Sequence, residues 1–253
     1  MRIELATQPG EPHHPNEDFV SVALPASGGG GVLVLLDGVT PPPSGGTGCA
    51  HGVPWFTARL GGSLLELAGS RRELTLAQCL AQAVERTADA HRATCDLTHR
   101  RTPQATVVVA RWDDERVEHL VLSDSALLVE AADGTVTAVL DDRIDRLAAL
   151  GPVTDAQRNA EDGFFTAAAD PAVVARAVTG TLARAEVRAL AALTDGAGRW
   201  VERFREGDWA DCFAVLAKEG PRALIDRVRE AERAAGPRRG KRHDDAAAVY
   251  AEL

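Results

Sequence analysis

Short apolar runs abut acidic residues at four places along this chain, and that pairing restricts what it can fold into. Glu17-Asp18 precede Phe19 to Leu24, and Val32 to Leu36 run into Asp37-Gly38. Ala189 to Thr194 run into Asp195-Gly196, and Asp244-Asp245 open Ala246 to Ala251. A short apolar run bounded by turn residues reads as a buried strand. Carboxylates at the ends of buried strands can converge in space, and converging carboxylates demand shifted pKa values or bound cations. Hard divalent cations with oxygen ligands suit such a set.

At 253 residues the chain is long enough to bury a substantial core. Its net charge of −9 argues against a general nucleic-acid binder, which needs clustered Lys and Arg for phosphate contacts. A phosphorylated substrate stays open, because bound metals can supply positive charge locally. Met1-Arg2-Ile3-Glu4 leads into a polar stretch in place of an apolar leader, and no run approaches the roughly 18 apolar residues of a membrane span. The expectation is a cytoplasmic protein without membrane contact. Cys49, Cys79, Cys95 and Cys212 are widely spaced, form no Cys-x-x-Cys pair and read as reduced thiols. Cys49-Ala50-His51, and Cys95 with His99, match no familiar structural zinc spacing, and Cys79 and Cys95 fall in a helical pattern where buried thiols are common.

The spacing of Trp55, Phe56, Leu60 and Leu64 predicts a helix over about His51 to Ala68, and that of Leu76, Leu80, Val84 and Ala88 another over about Leu74 to Leu97. Thr106 to Ala110, Val117 to Leu122, Ala126 to Glu130 and Thr135 to Val139 read as a meander of antiparallel strands, with Asp133-Gly134 as a hairpin turn. Helices are expected at Arg143 to Leu150, Pro171 to Arg184, Trp209 to Lys218 and Arg222 to Ala235, with an irregular stretch over Gly151 to Phe165. Neither a repeat nor a composition break divides the chain, so a single α+β domain over residues 1–253 is expected.

Taken together, Asn16-Glu17-Asp18, Asp37-Gly38, Gln104 to Val109, Asp124-Ser125, Thr194-Asp195-Gly196 and Asp244-Asp245 make the chain resemble the metal-dependent protein phosphatases of the protein phosphatase 2C family. Each motif alone is weak; their order and strand context cover almost the whole chain. The resemblance implies a four-layer αββα sandwich, two antiparallel sheets flanked by helices, with two Mn²⁺ or Mg²⁺ ions at one edge. It implies that Asp37 bridges the metals, that the Gly38 carbonyl and Glu17 hold one, that Asp195 and Asp244 hold the other, and that Asp18 hydrogen-bonds a water on them. Asp124 matches a position associated with a third metal. Such a pair of cations can acidify a water that attacks phosphorus in line, with no nucleophilic Ser or Cys.

The departures bear on substrate. His13 stands where the family usually places a phosphate-gripping Arg, and a His lacks the fixed fork of a guanidinium. Val39-Thr40 and Pro41-Pro42-Pro43 replace a glycine-rich continuation, and His51 is the nearest replacement for a proton-donating His. Ser123 stands where a Gly is expected. The implied activity is hydrolysis of phosphoserine or phosphothreonine in proteins. The alternatives are a non-catalytic binding module that keeps the fold and an enzyme for small phosphorylated metabolites. Arg238 to Arg242 could attract an acidic substrate but reads first as a solvated basic loop, and Phe164-Phe165 in the irregular stretch as a buried pair.

Overall fold

The computed structural model describes residues 1–26, 28–42, 46–235 and 241–253, so Pro43 and Arg238-Arg239-Gly240 lie outside the described residues. One sheet is built from β2 (Phe19–Ala23), β3 (Gly31–Leu36), β4 (Val107–Trp112), β5 (Arg116–Leu122) and β8 (Val178–Ala183), in that order. The other runs β1 (Arg2–Gln8), β10 (Ala246–Glu252), β9 (Val187–Leu193), β6 (Ala126–Ala131) and β7 (Val136–Val139). Every strand pair is antiparallel.

The central strands are apolar at every position because both of their faces are buried, and alternate residues serve different layers. Leu33, Leu35, Val108 and Val121 meet Leu127, Leu190, Ala192 and Val249 between the sheets. Val34, Leu36, Val109 and Leu122 point the other way, against Phe56, Leu60 and Leu64 of α1 (Val53–Ser70) and Leu80 and Val84 of α2 (Leu76–His91). On the far side, Leu128, Leu193, Ala248 and Tyr250 pack on α4 (Asp195–Glu202), α5 (Trp209–Glu219) and α6 (Pro221–Ala234). A short helix, α3 (Arg143–Leu150), follows β7. The result is the expected four layers, helix, sheet, sheet, helix.

Four features differ from the sequence reading. Pro171 to Arg184 is a 3-10 turn over Pro171–Arg176 followed by strand β8, not one helix. Val178, Thr179 and Thr181 are β-branched and Gly180 is a poor helix former, so the strand partner wins; Gly180 lies beside the His119 ring of β5, where a Cβ would come within 2.5 Å. Asp195 opens helix α4 despite its two glycines. Helix α2 stops at His91, leaving Cys95 in the turn beyond it. An edge strand, β1, precedes the first strand read from the sequence; its half-exposed residues lack a continuous apolar run. Among the described residues no helix is long and apolar enough to cross a membrane.

Candidate functional site

The acids at the strand ends meet at one edge of the sandwich. β3 delivers Asp37, β9 leads into Asp195 at the start of α4, and Asp244 stands just before β10. Two glycines make the approach close enough. A Cβ on Gly38 would lie 2.5 Å from the Glu17 carbonyl oxygen, and one on Gly196 would lie 1.8 Å from the Asp245 carbonyl oxygen. This is the physical content of the two Asp-Gly pairs: the acid is presented where the next residue must touch a neighbouring backbone.

Asp245, the second acid of its pair, is structural. Its carboxylate accepts from the Gly10 N–H and the Glu17 N–H, both at 2.7 Å, and so fixes the segment that carries Glu17 and Asp18. Glu17 is buried and its carboxylate accepts from the Thr40 hydroxyl. The Asp195 N–H donates to Asp37 Oδ2 at 3.3 Å, and the Thr194 hydroxyl donates to Asp18 Oδ2 at 2.9 Å. Asp18 Oδ1 is buried with no partner among the described residues.

The electrostatics follow from crowding. Burial, then the charges of Asp195, Asp18 and Asp124, push the Asp37 carboxyl well above the usual carboxylate range. Burial, with Asp195, Asp245 and Asp244 nearby, does the same to Asp18 against the opposing Thr194 bond. Burial and the Asp195 charge lift Asp124 to about 6. Asp195 is raised by burial and by Asp244. Carboxylates that raise one another, hard oxygen donors and a buried oxygen left without a donor fit a divalent cation set.

Asp244 is the exception to that pattern. The Arg199 Nη2 donates to its Oδ2 at 2.7 Å and the Lys241 Nζ to its Oδ1 at 2.8 Å, so cations of the chain itself engage both oxygens. Lys241 also donates to the Thr40 hydroxyl at 2.7 Å. A cavity of about 280 Å³ opens beside these groups, lined by Asp37, Asp124, Asp195 and Asp244, with Lys241 and Arg158 as its cations among the described residues. A larger hollow of about 540 Å³ lies around Phe165, Val173 and Arg176, but its acids Glu161 and Asp170 do not belong to the converging set.

The histidines land elsewhere than the chemistry suggested. His13 is exposed and lines neither this cavity nor the smaller hollow beside it, whereas His14 lines that hollow with Thr40, Lys241 and Asp244. His51 stacks on Trp55 with ring centroids 4.1 Å apart and faces Cys49, His91 and Cys95, not the carboxylates. A role for His51 as proton donor at this cavity is therefore corrected: the loop after Asp37-Gly38 carries it to the ends of α1 and α2. Lys241, within the basic run read first as a solvated loop, instead reaches the cavity, whereas Arg158 and Arg199 were not legible as site residues, because charged residues in loops and on helices carry no positional signal. Phe164 and Phe165 are buried as expected, and Phe164 forms a wall of the cavity.

Ser123 has φ of 71°, the left-handed region that explains the glycine expected there. Its N–H donates to Asp141 Oδ2 at 3.0 Å and its hydroxyl to Asp124 Oδ1 at 3.2 Å. Replacing Ser123 with Gly is expected to raise stability by about 0.5–1 kcal/mol, since the relief of strain slightly exceeds the entropy lost by a glycine. A higher urea midpoint at unchanged slope would show it; a lower midpoint would mean that the hydroxyl bond to Asp124 outweighs the strain.

Residues 12–228 match the family profile described as Protein phosphatase 2C. No curated protein sequence matches the chain. Among solved structures, the serine/threonine phosphatase Stp1 from Staphylococcus aureus superposes with a TM-score of 0.62 at 14% identity, covering 99% of this chain and 94% of that one. The serine/threonine phosphatase PstP/Ppp of Mycobacterium tuberculosis gives a TM-score of 0.61 at 18% identity, covering 100% and 98%. A structure of the PstP catalytic domain in complex with two manganese ions gives 0.61 at 18% identity, covering 99% and 97%.

Proposed function

From the premise that the chain belongs to the protein phosphatase 2C family, we propose that it is a metal-dependent phosphomonoester hydrolase acting on phosphoserine or phosphothreonine in proteins. The observation that carries this reading is the convergence of Asp37, Asp124 and Asp195 at the wall of a cavity with Asp18 close by, all four carboxyls raised by burial and by neighbouring acids.

Glu17, Asp37 and the Gly38 carbonyl would hold one Mn²⁺ or Mg²⁺, and Asp37, Asp195 and Asp244 a second, and Asp124 would serve a third. In such a site divalent cations supply Lewis acidity toward phosphoryl oxygens and acidify water toward neutral pH. The remaining tasks fall to the chain. Asp18, with one oxygen held by Thr194 and the other without a donor among the described residues, orients a water at the carboxylate edge. Lys241 and Arg158 supply the positive charge for the phosphate that an Arg at position 13 would have supplied. Phe164, Ile144 and Val153 close the apolar side and limit solvent access.

Hydrolysis of an aryl phosphate and of a phosphothreonine peptide that requires Mn²⁺ tests this reading. With Lys241→Ala, KM for the aryl phosphate is expected to rise about tenfold or more, with kcat changed less, because a charge-assisted bond to phosphate is lost. A second reading, a binding module that keeps the fold without turnover, is favoured by one feature: both oxygens of Asp244 are already engaged by Arg199 and Lys241. Calorimetric Mn²⁺ binding with no turnover on either phosphoester would select it and overturn hydrolysis.

A further inference from the structure

Four side chains outside the carboxylate site converge on a single point. Cys49 lies in the loop before α1, His51 follows two residues later, His91 is the last residue of α2, and Cys95 lies in the turn after it. One ligand atom from each falls within 4.8 Å of all the others. Cys49 Sγ is 3.4 Å from His91 Nδ1 and 3.7 Å from His51 Nδ1, and His51 Nδ1 is 3.4 Å from Cys95 Sγ. The two sulfurs are 3.0 Å apart. A tetrahedral zinc with thiolate and imidazole ligands has edges of roughly 3.3–3.8 Å between donor atoms. The three sulfur–nitrogen separations fall on those edges, and the sulfur pair needs only a modest opening.

Backbone N–H groups face both sulfurs. The Ala50 N–H points at Cys95 Sγ and the His51 N–H at Cys49 Sγ, each at 3.4 Å. Trp55 stacks on His51 and sits 5.1 Å, centroid to centroid, from His91, fixing both rings. The sequence concealed this set because its ligands come from two segments, and because His99, the histidine nearest Cys95 downstream, is turned toward Gly48 and accepts the Arg101 N–H.

We propose that Cys49, His51, His91 and Cys95 bind one structural Zn²⁺. Two thiolates balance its charge, so a half-buried position carries little Born cost. Binding transfers no electrons; it displaces the thiol protons of Cys49 and Cys95 to solvent. The ligands are borderline-soft and the carboxylates of the cavity are hard, so the two sites sort zinc from Mn²⁺ or Mg²⁺ by donor chemistry. The zinc would tie the loop that continues from Thr40 to the segment that leads to Gln104, already joined by an Asp96 N–H to Gly48 carbonyl bond of 2.7 Å and a Val39 N–H to Gln104 carbonyl bond of 2.9 Å.

Metal analysis of the full chain, saturated with ZnCl₂ and dialysed against a weak chelator, is expected to give about one zinc per chain that survives in an Asp37→Asn, Asp195→Asn variant and is lost in a Cys49→Ser, Cys95→Ser variant. Because the cysteine variant can lose zinc merely by unfolding, CoCl₂ substitution of the wild type supplies the second readout: tetrahedral visible bands with thiolate-to-cobalt charge transfer, shifted toward more sulfur ligation in His51→Cys. Absence of bound zinc, zinc retained without the two cysteines, or a cobalt spectrum without thiolate charge transfer would overturn the assignment. So would a count of only two titratable thiols in the denatured, unreduced protein, which would mark Cys49 and Cys95 as a disulfide.

Discussion

Replacing Asp37 with Asn is expected to lower Mn²⁺-dependent phosphoester hydrolysis by about a thousandfold or more while making the metal-free protein more stable at pH 8. The first effect follows from removing the carboxylate shared by both proposed cation positions, where loss of comparable electrostatic stabilisation costs roughly 3–4 kcal/mol or more. The second follows from the sign of the pKa shift. Asp37 is raised well above its ordinary value by burial and by Asp195, Asp18 and Asp124, so the folded state holds its proton more tightly than the unfolded chain does. Its protonation therefore stabilises the fold below the unfolded pKa, and that stability is lost as pH rises through the folded pKa. Asn carries no charge, so the gain of the variant over wild type in chelator should be large at pH 8 and shrink on acidification. Manganese should raise the melting temperature of the wild type and not that of the variant. Thermal melts with chelator or Mn²⁺ at two pH values, alongside kinetics, separate loss of the site from loss of the fold. A variant less stable than wild type at pH 8 in chelator would refute the crowding argument.

Replacing Glu232 with Ala is expected to destabilise the protein by about 3–5 kcal/mol, because it strips buried cations of their partner. Glu232 is 2% exposed, and its carboxylate accepts from Arg199 at 2.8 Å, Arg229 at 2.9 Å and His243 at 2.5 Å. Those same arginines hold Asp244, Arg199 through the carboxylate and Arg229 through the carbonyl oxygen, each at 2.7 Å. The loss should therefore reach the cavity as weaker Mn²⁺ affinity. Burial works to raise Glu232, but His243, Arg229 and Arg199 prevail and hold it below its ordinary value. A depressed carboxyl stabilises above its unfolded pKa and loses that contribution as pH falls through the folded value. The difference between wild type and Glu232→Gln should accordingly vanish under acid conditions. Urea unfolding at neutral and acidic pH measures both; a shift below about 1 kcal/mol at neutral pH would mean that solvent replaces the carboxylate.

Strands with both faces buried were legible because a continuous apolar run admits few other readings, and Val32 to Leu36 and Thr106 to Ala110 became β3 and most of β4. Strand β8 was not legible: it alternates half-buried and exposed residues, and its apolar positions fit a helix equally well until Gly180 is seen against His119. Helix α2 was extended too far for a similar reason, since nothing in residues 92–97 breaks helical periodicity, while in the structure the Asp96 N–H is taken by Gly48.

Buried strands and the acids beside them were readable along the chain, because burial and its period are local properties and each acid adjoins its own strand; the four-layer sandwich was implied by the family resemblance. Which charges answer those acids, and which side chains gather around the cysteines, emerged with the packing of the whole chain. Lys241 and Arg199 reach Asp244, and Cys49 and His51 reach His91 and Cys95, through pairings between segments far apart in sequence. Such pairings depend on how helices and loops pack over the sheets, which no local pattern encodes.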